Sequence, residues 1–526
     1  MKLQTTRKNS RWQRLMFALS LALVFLFSTI QVQAQESQYG GNLIFATMRD
    51  ATGFDPHLAG GTHNNWLLGN IYDNLVMYDL DGNIVPSLAA NWEYEDERTI
   101  LMNLRDDVHF HNGQHFSAAD VVATIERIRN PETMAARASV ADNITEVEVL
   151  GDYLVRLKLE DPNITLLNAL ASETMFIVSA EDVENGENFD LFTNGTGPFY
   201  LESWEPDREY VLASRRGDYW EADIPYLDTV TIRIIPDDRA RVDALRSGSI
   251  HVADYVPWQD FASLDGQFEV EKWFSLNSHL RLNPNRAPFD DPLVRRALGY
   301  IFDRDQVNDL AFGGEGTIMT GPLMPAGNPY YQEQLEGYYT LDHEKARALL
   351  VEAGYAEDLS DFPTVRMHVS TSAVATQPGL VVQQQLLDFG INVEWVTQDV
   401  PTLQENRRNG TYQLMMDGGG LSWPDPDYLR NFYHSVDGTN FATGVGYVNE
   451  ELDALLEHGY QISDYDERME TYARAEEVLL EDAVVHYFVW RPQADAIAPA
   501  VVNYPAHGGG LGTYNAARFE ITSLED

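Results

Sequence analysis

Two carboxylates near the last fifth of the chain are the residues whose types best match general acid and base chemistry. Asp425 and Asp427 lie two positions apart in the order Pro424-Asp425-Pro426-Asp427. Glycosidases hold two carboxyl groups roughly 5 to 9 Å apart across the bond that they cleave. The two prolines restrict the backbone and favour a rigid turn over a catalytic loop. A secreted hydrolase of acidic type is therefore kept as an alternative, and the preferred prediction is a protein that is not an enzyme.

Three histidines have the types and spacing to be considered as metal ligands. His109 and His111 alternate on an extended segment, so they face one side of it, and His115 follows nearby. His111 directly precedes an Asn112-Gly113 turn. The chain has no cysteine, which excludes disulfides, thiolate ligands and a cysteine nucleophile. We predict no metal site at these histidines and no cofactor.

The elements that would position these residues alternate between helix and strand. A turn is predicted at Asn91-Trp92 and an alternating strand over 99–105, and Ser117 has the type and place of an N-cap for the helix that follows. Further along, a strand over 364–370, a helix over 377–389 and a strand over 391–396 form a βαβ rhythm. This rhythm is typical of an α/β domain, and the sequence contains enough of it for two such lobes. A buried strand over 484–490 is expected to return the chain to the first lobe.

The composition limits the partners and the compartment. The formal net charge is −45, so nucleic acid and anionic membranes are poor partners for this surface, and we expect no nucleic-acid binding. An acidic surface poor in lysine stays soluble in high salt, and a preference for cationic ligands is the alternative explanation. Residues 1–34 have a basic start, an apolar run over 16–30 and a small-residue site at Val32-Gln33-Ala34, which together predict a secretory signal peptide. With no cysteine to lipidate, we predict a free periplasmic protein cleaved near Ala34.

Several segments, in a fixed order, carry a resemblance to a known family. Residues 85–126 contain the strand, the His-Asn-Gly turn and the capped helix, and the order continues with TGPFYLESWEPDREYVLASRRGDYW, PFDDPLVRRALGYIFDRDQV, TGPLMPAGNPYY, LDHEKARALLVEAGY and SWPDPDYL. The chain resembles the extracytoplasmic solute-binding proteins of the peptide and nickel type, the capture subunits of ABC importers. One such segment would be weak evidence, whereas this many in order predict membership.

The resemblance implies a two-lobed α/β clamshell with an extra inserted domain and no catalytic activity. Domain I would comprise 35–80, 200–287 and 491–526, domain II would be inserted over 81–199, and domain III would span 288–490. A small organic ligand would bind between the lobes, and the protein would deliver it to an ABC permease in the inner membrane. We expect a monomer that closes by a hinge.

The resemblance also implies where the ligand would lie. Four segments, 60–63, 417–425, 440–441 and 487–491, match positions that line the cleft in the family, and Arg407 matches a basic residue that reaches the ligand carboxylate in some relatives. The expected ligand-binding residues are Gly60, Gly61, Thr62, His63, Arg407, Gly419, Gly420, Ser422, Trp423, Asp425, Asn440 and Trp490. In peptide-binding members the first of these segments pairs with the ligand backbone, and Trp490 is expected to stack on the ligand.

One position departs from the pattern of peptide-binding relatives. Aligned on Pro424-Asp425-Pro426, the aspartate that pairs with a ligand ammonium is Ser422 here, and the usual tryptophan is Gly419. A desolvated ammonium needs a charged partner, which a serine does not supply. Peptides with a free amino group would then require Asp417 or Asp425 instead.

The sequence leaves the ligand open among a peptide-like compound, an oligosaccharide, an opine-like compound and a nickel chelate. Sugar hydroxyls or a neutral amide would suit Ser422 better than an ammonium would. For nickel, the candidate histidines in the cleft are His63, His434 and His486.

Overall fold

The computed structural model describes residues 38–58, 62–80, 82–135, 138–172, 175–420, 425–436, 442–505 and 519–525. The predicted signal peptide lies outside these ranges. Within them, no helix combines the length and the apolar composition needed to cross a membrane.

The strands are numbered in chain order. They are β1 (Asn42–Thr47), β2 (Val76–Tyr78), β3 (Ile84–Pro86), β4 (Ala89–Asp96), β5 (Thr99–Leu104), β6 (Ile144–Gly151), β7 (Leu154–Leu159), β8 (Phe199–Glu205), β9 (Glu209–Ser214), β10 (Thr229–Ile234), β11 (Val252–Ala253), β12 (Glu269–Leu282), β13 (Thr317–Ile318), β14 (Val365–Ser370), β15 (Val393–Gln398), β16 (Leu414–Gly420), β17 (Val485–Ile497), β18 (Val501–Val502) and β19 (Ser523–Leu524).

The α-helices are numbered in the same way. They are α1 (Thr62–Ile71), α2 (Ala118–Arg129), α3 (Ala138–Asp142), α4 (Leu166–Leu170), α5 (Ala180–Glu184), α6 (Asp238–Arg246), α7 (Trp258–Leu264), α8 (Pro292–Gly299), α9 (Arg304–Phe312), α10 (His343–Glu352), α11 (Ala373–Phe389), α12 (Val400–Arg408), α13 (Tyr428–Tyr433), α14 (Ala442–Val445), α15 (Glu450–Gln461) and α16 (Tyr465–Asp482). Short 3-10 turns occupy Pro131–Thr133, Glu333–Leu335 and Phe519–Ile521.

One long sheet runs through both halves of the molecule. Its strand order is β15-β14-β16-β12-β17-β11-β1-β10-β9-β8, and β13 adds to β17. The two long strands at its centre, β12 and β17, are antiparallel and belong to both halves, and we call them the hinge strands. The first lobe contains β11, β1, β10, β9 and β8. The second lobe contains β13, β14, β15 and β16. The lobes are therefore joined through continuous backbone.

The first lobe is built around the buried strand β1. This strand pairs in parallel with both β10 and β11, and four of its six side chains are buried. A strand covered on both faces needs apolar residues at consecutive positions, which the sequence NLIFAT provides. Helix α1 packs on one face, where the Trp66 and Phe45 rings meet edge to face with centroids 4.8 Å apart.

The inserted domain is a four-stranded antiparallel sheet in the order β4-β5-β7-β6. Strands β5 and β7 show strict alternation of buried and partly exposed side chains, so one face covers a core and the other meets water. Helix α2 packs in this domain and begins at Ser117, whose side chain forms a capping box with Asp120. The predicted N-cap is confirmed.

The second lobe has parallel strand pairing on β14, which lies between β15 and β16. Helix α11 connects β14 to β15 and packs on the sheet with the apolar cluster around Leu280 and Met367. The α/β, two-lobed fold predicted from the sequence is confirmed by this arrangement. The predicted domain boundaries stay predictions.

One local prediction was wrong. The sequence favoured a turn at Asn91-Trp92, but these residues lie inside β4. The buried strand predicted over 484–490 is found as the first part of β17, which continues to Ile497 and carries the chain back to the first lobe as expected. The 14-residue strand β12 was not predicted at all.

Candidate functional site

A cleft of about 460 Å³ lies between the two lobes. The first lobe lines it with Asp50 and Tyr255, the second lobe with Phe312 and Gln377, and the hinge strands form part of its wall with Leu276. Because both lobes contribute, a solute in this cleft would touch both of them. Such a solute would favour the closed arrangement by contacts that an open one lacks.

A second cavity of about 250 Å³ adjoins this cleft on the side of the second lobe. Its lining mixes apolar side chains with polar ones, and the polar side chains include Asn277, Ser370, Gln404 and Arg407. Four residues line both spaces: Leu276, Ser372, Val374 and Arg491. We call the two together the interlobe cleft, and Arg491 stands at their junction.

Arg491 reaches the cleft because of its place on β17. Its neighbour Trp490 is 2% exposed and belongs to the apolar core of the second lobe. Side chains alternate across a strand, so the next residue points the other way, into the cleft. Burial lowers the pKa of Arg491, although the nearby Tyr255 opposes this. Among the described residues, Arg491 makes no ion pair and no side-chain hydrogen bond.

Tyr255 is held beside Arg491 in a strained backbone conformation. Its φ is +49°, in the left-handed region that a bulky residue rarely occupies. Its ring packs edge to face against Trp273, with centroids 5.8 Å apart. A strained residue in a cleft marks a position that the surrounding structure holds fixed.

The floor of the smaller cavity contains a buried ionic cluster around Asp417. One carboxylate oxygen, Oδ2, lies 2.9 Å from Nε of Arg281 and 3.4 Å from Nη1 of Arg407. Burial raises the pKa of Asp417, but Arg281, His279 and Arg407 outweigh this, so the pKa lies below its usual value. Asp417 is therefore ionised and already paired, rather than free to receive a ligand ammonium.

Asp425 is also engaged by an arginine of its own lobe. Its two oxygens accept hydrogen bonds from Arg468 at 2.6 and 2.7 Å, and its side chain is 13% exposed. The adjacent Asp427 accepts a hydrogen bond from the Tyr472 hydroxyl, and burial together with Asp425 raises its pKa to about 6. Neither aspartate lines the interlobe cleft. Residues 425–427 therefore belong to the folded structure of the second lobe.

The structure brings only some of the predicted ligand-binding residues to the cleft. Arg407 and Gly419 line the smaller cavity. Gly420 pairs with Leu276 at the end of β16, and Asp425 lies elsewhere in the second lobe. Trp490, expected to stack on a ligand, lies in the core instead, because the register of β17 turns it away from the cleft.

The other predicted ligand-binding residues are described only in part or lie outside the described ranges. Thr62 and His63 begin helix α1, and their side chains are not described. The remaining predicted residues lie outside the described ranges: Gly60, Gly61, Ser422, Trp423 and Asn440.

The triple glycine of β16 has a structural cause at one of its positions. A Cβ on Gly418 would lie 2.9 Å from the carbonyl oxygen of Asn277 in the paired strand. Glycine there is required by the close approach of β12 and β16. A Cβ on Gly419 would lie 3.5 Å from the His279 ring and 3.6 Å from the Phe432 ring, which is ordinary contact, so no close approach requires glycine there.

The histidines considered as metal ligands have structural partners. His111 Nε2 hydrogen bonds to the carbonyl of Gly197 at 3.2 Å, and burial and Arg215 lower its pKa to about 3. His486 Nε2 hydrogen bonds to the carbonyl of Arg295, and His434 contacts Glu457 at 3.3 Å. In the part of the chain that the structure describes, no group of three or more histidine or acidic side chains has the arrangement to hold a metal ion.

Sequence reasoning missed the residues that define the cleft best. Arg491 ends the expected cleft-lining segment 487–491 but was not among the expected ligand-binding residues, and Tyr255 and Trp258 were not proposed. For Arg491 a signal existed, because alternation from a core tryptophan places an arginine on the opposite face of the strand. No comparable signal marks Tyr255.

The comparisons with known proteins agree with this geometry. The family model described as bacterial extracellular solute-binding proteins, family 5 Middle, matches residues 83–440. The glutathione-binding protein GsiB of Salmonella paratyphi A is 27% identical over 455 residues, which are 84% of this chain and 87% of that protein. GsiB of Escherichia coli K12 is 26% identical over the same shares.

Solved structures share the whole fold. The periplasmic binding protein AgaA from A. tumefacien R10, in complex with agropinic acid, is 28% identical with a TM-score of 0.80, covering 92% of this chain and 99% of that one. DppA from Helicobacter pylori, in complex with the peptide STSA, is 25% identical with a TM-score of 0.81, covering 94% and 100%.

Proposed function

Because the chain belongs to the family 5 bacterial extracellular solute-binding proteins, we propose that it captures a small peptide-like organic solute in its interlobe cleft. Proteins of this family capture solutes for ABC importers and are not enzymes. The hydrolase alternative is therefore wrong. We further propose that this protein delivers its solute to a specific inner-membrane permease and acts as a monomer.

The observation that carries the proposal is the cleft itself. It opens on both lobes, and the hinge strands that join the lobes form part of its wall. A solute that contacts both sides shifts the protein toward the closed state by its differential contacts. Affinity in the micromolar range corresponds to about −8 kcal/mol, which is enough to populate a closed form.

The solute class follows from chemistry in the cleft and from the relatives. Amide and hydroxyl groups from Asn277, Ser370 and Gln404 suit the amides of a peptide-like compound. The relatives named above bind glutathione, agropinic acid and the peptide STSA. An opine-like compound is thus the second candidate, favoured by the likeness to AgaA over 92% of this chain.

We propose the periplasm as the compartment, since the chain begins with an apparent export signal. Cleavage near Ala34 and the lack of a lipid anchor are part of this proposal.

Native mass spectrometry of freshly purified protein tests the capture of a solute. Bound material that leaves on mild heating, and that raises the melting temperature when added back, would support the proposal. A control solute that the apoprotein ignores should leave the melting temperature unchanged. Failure of every peptide-like and opine-like compound to stabilise the protein would contradict it.

A further inference from the structure

Arg491 lies where the two cavities of the interlobe cleft meet. It lines both the larger and the smaller cavity, opposite Leu276 in the paired strand β12. A group bound there would contact the hinge strands and could extend into either cavity. A residue at this junction would orient the solute.

The carboxylates around Arg491 are already engaged by other groups. Asp50 accepts hydrogen bonds from the backbone N–H groups of Ala51 and Asp207, at 2.9 and 2.8 Å. Asp238 pairs with Arg241 at 2.7 Å. Asp50 and Asp238 line the cleft, but each interacts with groups of its own lobe.

The smaller cavity has an excess of positive charge at its floor. The ionic cluster there has two arginines, Arg281 and Arg407, for the single carboxylate of Asp417, and Arg407 lines the cavity. Nε of Arg407 is buried and has no hydrogen-bond partner among the described residues. A donor left over at this point can serve an acceptor group of a solute.

An unpaired, half-buried arginine is unfavourable for the empty protein. Burying a charge without a partner costs free energy, because the charged group loses its hydration and gains no compensating contact. The rest of the molecule is strongly acidic, with a net charge of −45, yet no acid of the described residues pairs with Arg491. Such an arrangement is expected where the partner arrives with the ligand.

Resting on the proposed function, we infer that Arg491 is the anchor for a carboxylate of the captured solute, so the solute is a small organic anion. The planar guanidinium presents paired N–H donors that match the two oxygens of a carboxylate. The polar remainder of the solute would extend toward Asn277, Gln404 and the free donor of Arg407. The ring of Tyr255 would flank the bound carboxylate.

Calorimetry and thermal shift with matched pairs of solutes test this inference. The probes are a panel of short N-acetylated peptides and small carboxylic acids, each measured beside its uncharged amide, with inorganic phosphate as a separate probe. The acids should bind and raise the melting temperature, and the amides should bind at least tenfold more weakly. Arg491→Gln should reduce binding of the acids about 10- to 100-fold, and Arg491→Lys should retain part of it.

The matched control is Arg366→Gln, which removes an exposed arginine that pairs with Glu394 at 3.4 Å. It should leave binding unchanged. The empty Arg491→Gln protein should melt no lower than the wild type, since that arginine has no partner to lose. A variant that loses binding but keeps its stability has lost a ligand contact rather than its fold.

The outcomes separate this inference from the proposed function. If the amides bind as well as the acids, or if Arg491→Gln binds the acids as the wild type does, the anchor is refuted and the capture function stands. Tight binding of phosphate with no binding of carboxylates also refutes it. If neither series binds and no solute copurifies, the proposed function fails, and the inference fails with it.

Discussion

Arg468 and Asp425 form a two-point ion pair inside the second lobe, with N–O distances of 2.6 and 2.7 Å. Arg468 lies on α16 and is 2% exposed, and it also contacts the hydroxyl of Tyr330. The pair ties Asp425 to the helix. It therefore gives Asp425 a role in stability.

We predict that Asp425→Asn destabilises the protein by about 3 to 5 kcal/mol, because it leaves Arg468 charged and buried without its partner. Urea unfolding of wild type and variant measures the difference. Glu394→Gln, which removes an exposed ion pair to Arg366, should change the free energy of unfolding by only about 0.5 kcal/mol. If Asp425→Asn instead unfolds like the wild type but loses its solute, Asp425 acts on the ligand, as the sequence suggested.

Much of the fold could be predicted because local signals and tertiary structure agree. Strand β1 has the sequence NLIFAT, whose consecutive apolar residues predict a buried strand. Ser117 caps α2 through a local contact with Asp120. Strand β12 could not be predicted, because its pairing with β17 shifts register between Trp273 and Leu276 and again after Ser278. Such bulges break the two-residue period that marks a strand in sequence.

The site was harder to predict because charge pairing is a long-range property. In the sequence, Asp417, Asp425 and Arg491 are three charged residues, and nothing local shows which of them forms an ion pair within the protein. Only the fold reveals that both aspartates have arginine partners from distant segments, at 281 and 468. The same fold gives Arg491 no ion-pair partner among the described residues.

A buried glutamate gives the protein a predictable pH dependence. Glu476 accepts a hydrogen bond from the backbone N–H of Leu323 at 2.9 Å, and burial raises its pKa to about 8 from 4.5. The folded protein therefore keeps a proton that the unfolded chain releases at lower pH. The stabilisation is complete below about pH 4.5 and is lost as the pH rises to about 8.

We predict that Glu476→Gln is more stable than the wild type at pH 8, by on the order of a few kcal/mol, and that the difference shrinks toward pH 4.5. Melting temperatures measured from pH 4.5 to 8.5 show this, and the difference at each pH cancels the other titrating groups. Glu394→Gln serves as an exposed control with no such trend. A constant difference at every pH would mean that Glu476 is ionised in the folded protein.

Closure about the hinge strands should compact the protein. We predict a smaller radius of gyration by small-angle X-ray scattering when a solute saturates the cleft, because contacts to both lobes favour the closed state. A compound of similar size that does not raise the melting temperature provides the control. An unchanged radius under saturation would rule out hinge closure.

Export should remove the first 34 residues. We predict that the mature protein begins near Gln35 and is found in the periplasmic or culture fraction, since Val32-Gln33-Ala34 precedes it and no cysteine is present for lipidation. Intact mass measurement of the fractionated protein checks this. Recovery of the full-length chain from washed membranes would show that the segment is an anchor.

The last prediction concerns Ser422, which lies outside the described residues. The family resemblance implies that peptide-binding relatives have an aspartate at this position, which pairs with the ligand ammonium. The two carboxylates that could replace it, Asp417 and Asp425, already have arginine partners. We therefore predict weak or no binding of dipeptides and tripeptides with free amino termini.

Ser422→Asp should restore a charged partner and increase the affinity for cationic ligands by about 1 to 3 kcal/mol, or about tenfold to a hundredfold. Calorimetry with a small peptide library measures this, and Ser422→Asn is the control with a similar shape and no charge. Tight peptide binding by the wild type would contradict the prediction and would mean that Asp417 or Asp425 exchanges its arginine for the ligand. If both forms bind an oligosaccharide and neither binds peptides, a carbohydrate becomes the first candidate, because Ser422 can hydrogen bond to a sugar hydroxyl without any charge.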